Sequence, residues 1–282
     1  MMKQKFKLEK YNKLIGGHVS IRDHIYFAPE RANSFNFNTF QIFVKSNMQW
    51  KKNDNLLEDD FLKFKENTEK YGIKKTVAHA SYLINLASEN EELLKKSIDD
   101  VKYELELCNK LEINYMVIHP GSNSDKKNAM KNIMNILNNI DYGYTELLIE
   151  NSSGKGNTLP GSVEEMVEML DYSKNINLCL DVCHFFSYGY NIRDEYNEVM
   201  DNLFSMVNRE RIKVLHLNDS KYDAGEKKDR HENIGYGYIG DKGFYNLMND
   251  NNFNNIPMIM ETPDGDNYYI KNLSKLLEFI GE

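Results

Sequence analysis

From residue 14 onward the chain repeats one alternation: a short apolar run, then a longer segment with helical periodicity. The runs are Leu14–Ser20, Thr39–Ser46, Thr76–Ser81, Tyr115–Ser122, Glu146–Ser152, Asn177–His184, Lys213–Ser220 and Pro257–Pro263. They read as near-continuous apolar stretches, the pattern of parallel strands covered on both faces. Between them apolar residues return with a period near 3.6. In 89–111, Leu94, Ile98, Val101, Leu105 and Cys108 make one stripe, with Ser88 and Glu91 spaced as a capping box. Ser162 and Glu165 repeat that spacing ahead of Val163–Leu170. Eight such units in 282 residues predict a single α/β domain, a (β/α)8 barrel. A doubly wound open sheet shares the alternation, but the chain carries no P-loop segment. No linker divides residues 14–282, and the lysine-bearing residues 1–13 are expected to form a poorly ordered basic extension.

Composition narrows the classes. With 41% apolar and 28% charged residues the chain can bury a sizeable core. No apolar run approaches the roughly 20 residues needed to span a bilayer, so no membrane association is expected. The first residues lack the apolar core of a secretory signal, and Cys108, Cys179 and Cys183 are too few and uneven for a disulfide framework. An intracellular, reducing location is therefore expected, not a secreted one. The net charge of −8 argues only weakly against a polyanionic partner, because a whole-chain sum says nothing about one face.

In such a barrel, catalytic groups gather where the C-terminal ends of the strands meet their loops. The third run ends in His79, the fourth in His119 and the fifth in Glu150. The sixth ends with Asp181 and His184, the seventh brings His216 and the eighth Glu261. The loop after the seventh adds Asp229 and His231. A single histidine at a strand end is ordinarily a hydrogen-bonded core residue, and a single glutamate a solvated loop charge. Nine imidazoles and carboxylates at one mouth are another matter. Burying those carboxylates without cations would cost several kcal/mol per charge. They either titrate to neutrality or bind metal. Imidazole and carboxylate donors with no cysteine among them suit Zn2+, with Mn2+ or Fe2+ as substitutes, and the donor count suggests two or three ions. His18 is read as supporting this set, His24 as surface, and Cys179 and Cys183 as packing.

These residues fall in segments that resemble the endonuclease IV family, the zinc-dependent apurinic/apyrimidinic endonucleases of base-excision repair. The segments are GGHVS, HASYLINLAS, HPGS, IENSSGKG, LDVCHFFSYGY, HLNDSK, DRHENIGYGYIG and METPDGD, in order along almost the whole chain. The family's fold is a (β/α)8 TIM barrel of the xylose-isomerase-like kind, in agreement with the reading above. The resemblance implies a trinuclear zinc cluster. His79 and His119 would hold one zinc, bridged by Glu150 to a second that Asp181, His216 and Glu261 also hold. His184, Asp229 and His231 would hold the third.

The implied substrate is duplex DNA containing an abasic site, cut on its 5′ side to leave a 3′-hydroxyl and a 5′-deoxyribose phosphate. Zinc lowers the pKa of bound water towards 7, giving a hydroxide at neutral pH, and offsets the charge growing on phosphorus. Glu150 and Glu261 are the implied catalytic carboxylates. Gln49, Tyr82, Leu83 and Asn85 are the implied DNA contacts, and Met48 stands where family members often carry arginine. Lys45, Lys51, Lys52, Lys126, Lys127, Lys155, Lys221, Lys227, Lys228 and Arg230 make the mouth locally basic. A monomer is expected, located wherever the genome resides. The alternatives are a divalent-metal sugar isomerase or epimerase on the related barrel, and a non-catalytic zinc-dependent DNA-binding protein. The first leaves the 229–231 pair and the SYLIN loop without a use, and nothing in the ligand set suggests the second.

Overall fold

Eight parallel strands form the framework of the computed structural model, which describes residues 7–52 and 55–281. They are β1 (Leu14–Gly17), β2 (Thr39–Ile42), β3 (Lys75–His79), β4 (Tyr115–Ile118), β5 (Glu146–Glu150), β6 (Asn177–Asp181), β7 (Ile212–His216) and β8 (Pro257–Met260). Each starts within one residue of its predicted run but stops two to four residues sooner. The difference lies in the polar residues closing each run, which leave the ladder to form the mouth. Hydrogen bonding follows the order β1-β8-β7-β6-β5-β4-β3-β2. The remaining seam is closed by a bridge between His18 and Gln41, with Val19 N donating to Gln41 O at 2.8 Å and Asn38 N to Ile15 O at 3.2 Å. A Cβ on Gly16 would lie 2.1 Å from Thr39 O, so this approach needs glycine. The sheet is a closed (β/α)8 barrel.

Two apolar layers hold it. One lies between the strands and the helices outside them and includes Ile15, Phe40, Leu105, Leu180 and Leu215. The other plugs the interior with Val77, Tyr115, Val117, Leu148, Cys179, Val214 and Ile259. Successive residues of a strand face opposite ways, so the position two after an inward residue also faces inward, one layer up. Two residues beyond Val77, Val117, Leu148, Cys179, Val214 and Ile259 stand His79, His119, Glu150, Asp181, His216 and Glu261. The pleat alone stacks them on the plug.

The helices that matter for the mouth are α1 (Glu91–Lys110), α2 (Val163–Asp171) and α3 (Val182–Tyr188). In α1, Val101, Leu105 and Cys108 of the predicted stripe are buried. Its cap is not the Ser88–Glu91 box. Asn90 accepts from Leu93 N at 2.9 Å, while Ser88 Oγ accepts from Asn90 N at 3.1 Å. Asparagine caps as well as serine and sits two positions closer. Ser162 does cap α2, accepting from Glu165 N at 3.2 Å, but the Glu165 carboxylate reaches Gly161 N instead of Ser162 N.

The expected loose extension does not hold for residues 7–13. Residues 7–10 are helical, Leu8 is fully buried, and Lys13 is 3% exposed with Nζ 3.2 Å from Asp250 O. Residues 1–6 lie outside the described residues. The three cysteines are buried and free, and no described helix is long and apolar enough to cross a membrane.

The β1–β2 seam depends on one buried amide. Asn38 Oδ1 accepts from Ile15 N at 2.8 Å and its Nδ2 donates to Lys13 O at 2.9 Å. Asn38→Ala leaves both backbone groups unpaired and should destabilise the fold by about 1–3 kcal/mol. Denaturant midpoints of parent and variant, at equal metal content, measure it.

Candidate metal centre

The turns that follow the strands are built to aim ligands. Asp181 ends β6 and is also the N-cap of α3, accepting from His184 N at 2.7 Å, so the two candidate ligands are one turn apart by construction. Asn151 locks that turn from the neighbouring strand: its Oδ1 accepts from Asp181 N at 2.7 Å and its Nδ2 donates to Asp181 O at 3.1 Å. After β7, Asp219–Ser220 pairs antiparallel with His231–Glu232, which lays the loop carrying Asp229 and His231 over the mouth. The buried Asp219 carboxylate accepts backbone N–H groups from Ser220, Gly235, Gly237, Ile239 and Gly240 at 2.8–3.3 Å. A Cβ on Gly237 would sit 2.4 Å from Ser220 O, so the wrap around Asp219 requires glycine there.

Glu150 is the hub. Its Oε2 lies 3.2 Å from both His79 Nε2 and His119 Nε2, and its Oε1 lies 3.1 Å from His216 Nδ1 and 3.3 Å from His184 Nδ1. His216 Nδ1 also faces Glu261 Oε2 at 3.3 Å and Asp181 Oδ2 at 3.7 Å. Asp229 Oδ1 is 3.2 Å from His184 Nε2 and 3.9 Å from His231 Nε2. Three groups have their donor atoms within 4.8 Å of one another: His79, His119 and Glu150; Glu150, Asp181 and His216; His184, Asp229 and His231. A fourth grouping adds Cys183 to Asp181 and His231. The Cys183 thiol, however, contacts Arg230 O at 3.7 Å, and burial disfavours its thiolate.

The second nitrogen of these rings shows what the first is for. His79 Nδ1 donates to Ala80 O at 2.8 Å, His231 Nδ1 to Glu261 O at 3.1 Å, and His216 Nε2 to Gln41 Oε1 at 2.9 Å. Carbonyl oxygens only accept, so the proton is on that nitrogen and the lone pair of the other faces the cluster. His231 Nε2 is buried there with no hydrogen-bond partner. An unpartnered nitrogen beside two carboxylates fits a divalent cation. Electrostatics agree. Burial raises the Glu150 pKa, but His119, His216 and His184 outweigh it and hold the carboxyl well below its usual range. Burial likewise disfavours charge on His184, yet Asp181, Asp229 and Glu150 lift it well above an ordinary imidazole. Without metal, protons on imidazoles such as His184 would offset the carboxylates, and a metal would displace them.

Access is one-sided. Glu150, Asp181 and His216 are at most 1% exposed, whereas the side chains of His119 and Asp229 are 37% and 48% exposed. They border a cavity of about 540 Å3, lined also by His184, Tyr82, Leu83 and Lys155. Tyr82 is 54% exposed, its ring 5.5 Å from that of His79, and Met48 and Gln49 are exposed on the loop after β2.

Asn85 lines that cavity too, its Oδ1 accepting from Ala87 N and Ser122 N and its Nδ2 donating to Ser122 O. One expectation changes. Lys45 is no phosphate contact, since its buried ammonium is 3.0 Å from Asp100 Oδ2. Sequence reading missed Gln41, Asn151, Asn218 and Asp219. Asn218 joins two candidate ligands, donating to Asp181 Oδ2 at 2.9 Å and accepting from Glu261 N at 2.6 Å. The signal was adjacency, as Asn151 and Asn218 directly follow or nearly follow ligands, but asparagine is so frequent in this chain that it hid them.

Fold and site together define a (β/α)8 barrel whose C-terminal mouth carries adjoining imidazole–carboxylate groups able to hold metal. Residues 29–279 match the AP endonuclease 2 family, a xylose isomerase-like TIM barrel. The chain is 38% identical to the probable endonuclease 4 of Thermoplasma acidophilum and 36% identical to that of Thermoplasma volcanium, over 95% of each protein and of this one. The crystal structure of endonuclease IV from Thermus thermophilus superposes with a TM-score of 0.84 at 31% identity, covering 94% of this chain and 98% of that one. A D-tagatose 3-epimerase-like protein superposes at 0.70 with 20% identity over 94% of this chain and 96% of that one, which is likeness of fold alone. The chain belongs to the endonuclease IV family.

Gln41 ties the site together, since its Nε2 also donates to Glu261 Oε1 at 2.6 Å and lies 3.0 Å from His18 Nδ1. Gln41→Ala frees both Glu261 and His216 and should weaken metal binding about 10–100-fold, read by chelator competition.

Proposed function

We propose that this protein is a DNA-repair endonuclease that hydrolyses the phosphodiester 5′ to an abasic site in duplex DNA, leaving a 3′-hydroxyl and a 5′-deoxyribose phosphate. The reading rests on one arrangement: ligand groups joined through Glu150, beside a cavity edged by Tyr82. His79, His119 and Glu150 would hold one zinc; Glu150, Asp181, His216 and Glu261 a second; His184, Asp229 and His231 a third. Imidazole and carboxylate donors suit zinc, with manganese or iron as substitutes. Bound zinc supplies an acidified water and positive charge against the phosphate.

The chain's own groups do the rest. Glu261 has Oε1 held by Gln41 and Oε2 turned to His216, so Oε2 faces the cluster in a fixed direction. It is the group placed to take a proton from the attacking water, with Glu150 shaping the centre beside it. Protonation of the imidazoles competes with metal for the same lone pairs, so incision should fail in acid. Tyr82, Leu83 and Gln49 meet the duplex, and exposed Lys51, Lys155 and Lys221 lie along its phosphates. Met48, 65% exposed, offers an apolar wedge. A sugar epimerase would share the fold but leave Asp229 and His231 unused, and a non-catalytic binder would not need the full ligand set.

Purified protein should carry more than one zinc, up to three, and should cut a duplex with one synthetic abasic site without added magnesium. The undamaged duplex should stay intact. One metal or none in active protein, or sugar turnover in place of incision, overturns the reading. His231→Ala should lose the third zinc selectively.

Glu261→Gln keeps size and one oxygen but removes charge and basicity. Single-turnover incision should fall about 10²–10⁴-fold. Binding of abasic duplex should survive, because loops and phosphates supply most of it. Tyr82→Ala should instead weaken binding, by about 1–3 kcal/mol if the ring stacks on a base, with zinc content unchanged.

A further inference from the structure

The loop after β2, which carries Met48, Gln49 and Trp50, and the loop after β3, which carries Tyr82 and Leu83, meet over one polar face of α1. Ser97, Asp100 and Glu104 stand three, four and seven residues apart on that helix, and all three are buried. Lys45, its side chain 1% exposed, inserts between the loops and this face. Its Nζ lies 3.0 Å from Asp100 Oδ2 and 3.8 Å from Glu104 Oε1, and it donates to Gln49 O at 2.7 Å. Glu104 Oε1 accepts from Ser81 N at 3.1 Å, Ser81 Oγ donates to Asn47 O at 3.0 Å, and Asn85 N donates to Ser97 Oγ at 3.0 Å. Four of these links end on the backbone of the two loops, at Asn47, Gln49, Ser81 and Asn85.

We propose that Lys45, seated on Asp100 and Glu104, is a positioning residue that locks these two loops together in the arrangement that receives the duplex. The proposal rests on the reading of those loops as the DNA-binding edge. A buried ion cluster is a poor source of stability, since apolar residues of like volume often do as well. What it provides is direction: an ammonium with fixed partners fixes where the Gln49 carbonyl sits. Burial and the neighbouring Asp100 push the Glu104 carboxyl up to about 8, and burial raises Asp100 as well, while the Lys45 ammonium favours the charged form of both.

Trp50 is the single tryptophan of the chain and directly follows Gln49, so its emission reports on this loop alone. The test uses the full-length, metal-loaded protein with Lys45→Met combined with Asp100→Asn, which removes cation and anion together, and separately Ser81→Ala, which cuts the tie to Asn47. Both variants should keep far-UV circular dichroism and zinc content. Both should show lower Trp50 anisotropy and greater acrylamide quenching. KM for abasic duplex should rise at least about tenfold in the double variant, with kcat at saturation nearly unchanged. Lys45→Arg, which keeps a donor and the charge, should restore most of the anisotropy.

Unchanged Trp50 anisotropy and quenching in both variants overturns the proposal, as does a loss of kcat at unchanged KM. If the parent protein does not act on abasic DNA, the functional reading fails. The Trp50 measurements then still decide whether Lys45 holds the loops.

Discussion

Glu150 is a carboxylate at 1% exposure in the middle of a barrel, and the rest of the mouth answers to that fact. Its two oxygens are met by four imidazole nitrogens at 3.1–3.3 Å, none of them on its own strand. Removing Glu150 would leave those imidazoles facing Asp181, Glu261 and Asp229 without the group that spaces them. An uncompensated buried charge costs more than a domain of ordinary stability can absorb, so the arrangement is sustained only by cations, whether protons or metal.

Precision comes from amides and carbonyls outside the ligand set. Gln41, Asn151 and Asn218 each hold two mouth elements at once, Gln41 spanning Glu261 and His216 and Asn218 spanning Asp181 and Glu261. Neutral groups suit this task. They orient carboxylates and imidazoles by hydrogen bonds without adding charge to a centre whose balance is already tight. They also bind strand to strand, so ligand geometry inherits the rigidity of the barrel.

The barrel was legible because each strand is a run of apolar residues and each strand start falls within a residue of where the run begins. The ligands were legible because polar residues ending such runs have nowhere to go but the mouth. Contacts between distant segments were not. Nothing local to Lys45 says that Asp100, on a helix 55 residues later, will neutralise it, so in sequence it looks like one more basic loop residue. Asn85 likewise looks free until Ser122 arrives opposite it. Gln41 sits inside an apolar run, where its partners His216 and Glu261 come from the far end of the chain. The loose reading of residues 7–13 failed for the same reason, as Leu8 gains its burial from the closed barrel.

The epimerase-like neighbour shows how far the fold alone carries function. Strand-end positions around a barrel are available to any protein with this architecture, and metal-binding residues there follow from the pleat. The third ligand group is different, because Asp229 and His231 come from a loop, which the pleat does not direct. Their placement falls to Asp219, whose carboxylate gathers five backbone N–H groups and needs a glycine at 237 to be wrapped so closely. Bringing these two residues to the strand-end set is thus a matter of loop closure. Its sequence mark is the GYGYIG turn around a buried aspartate, more than the histidine and aspartate that turn delivers.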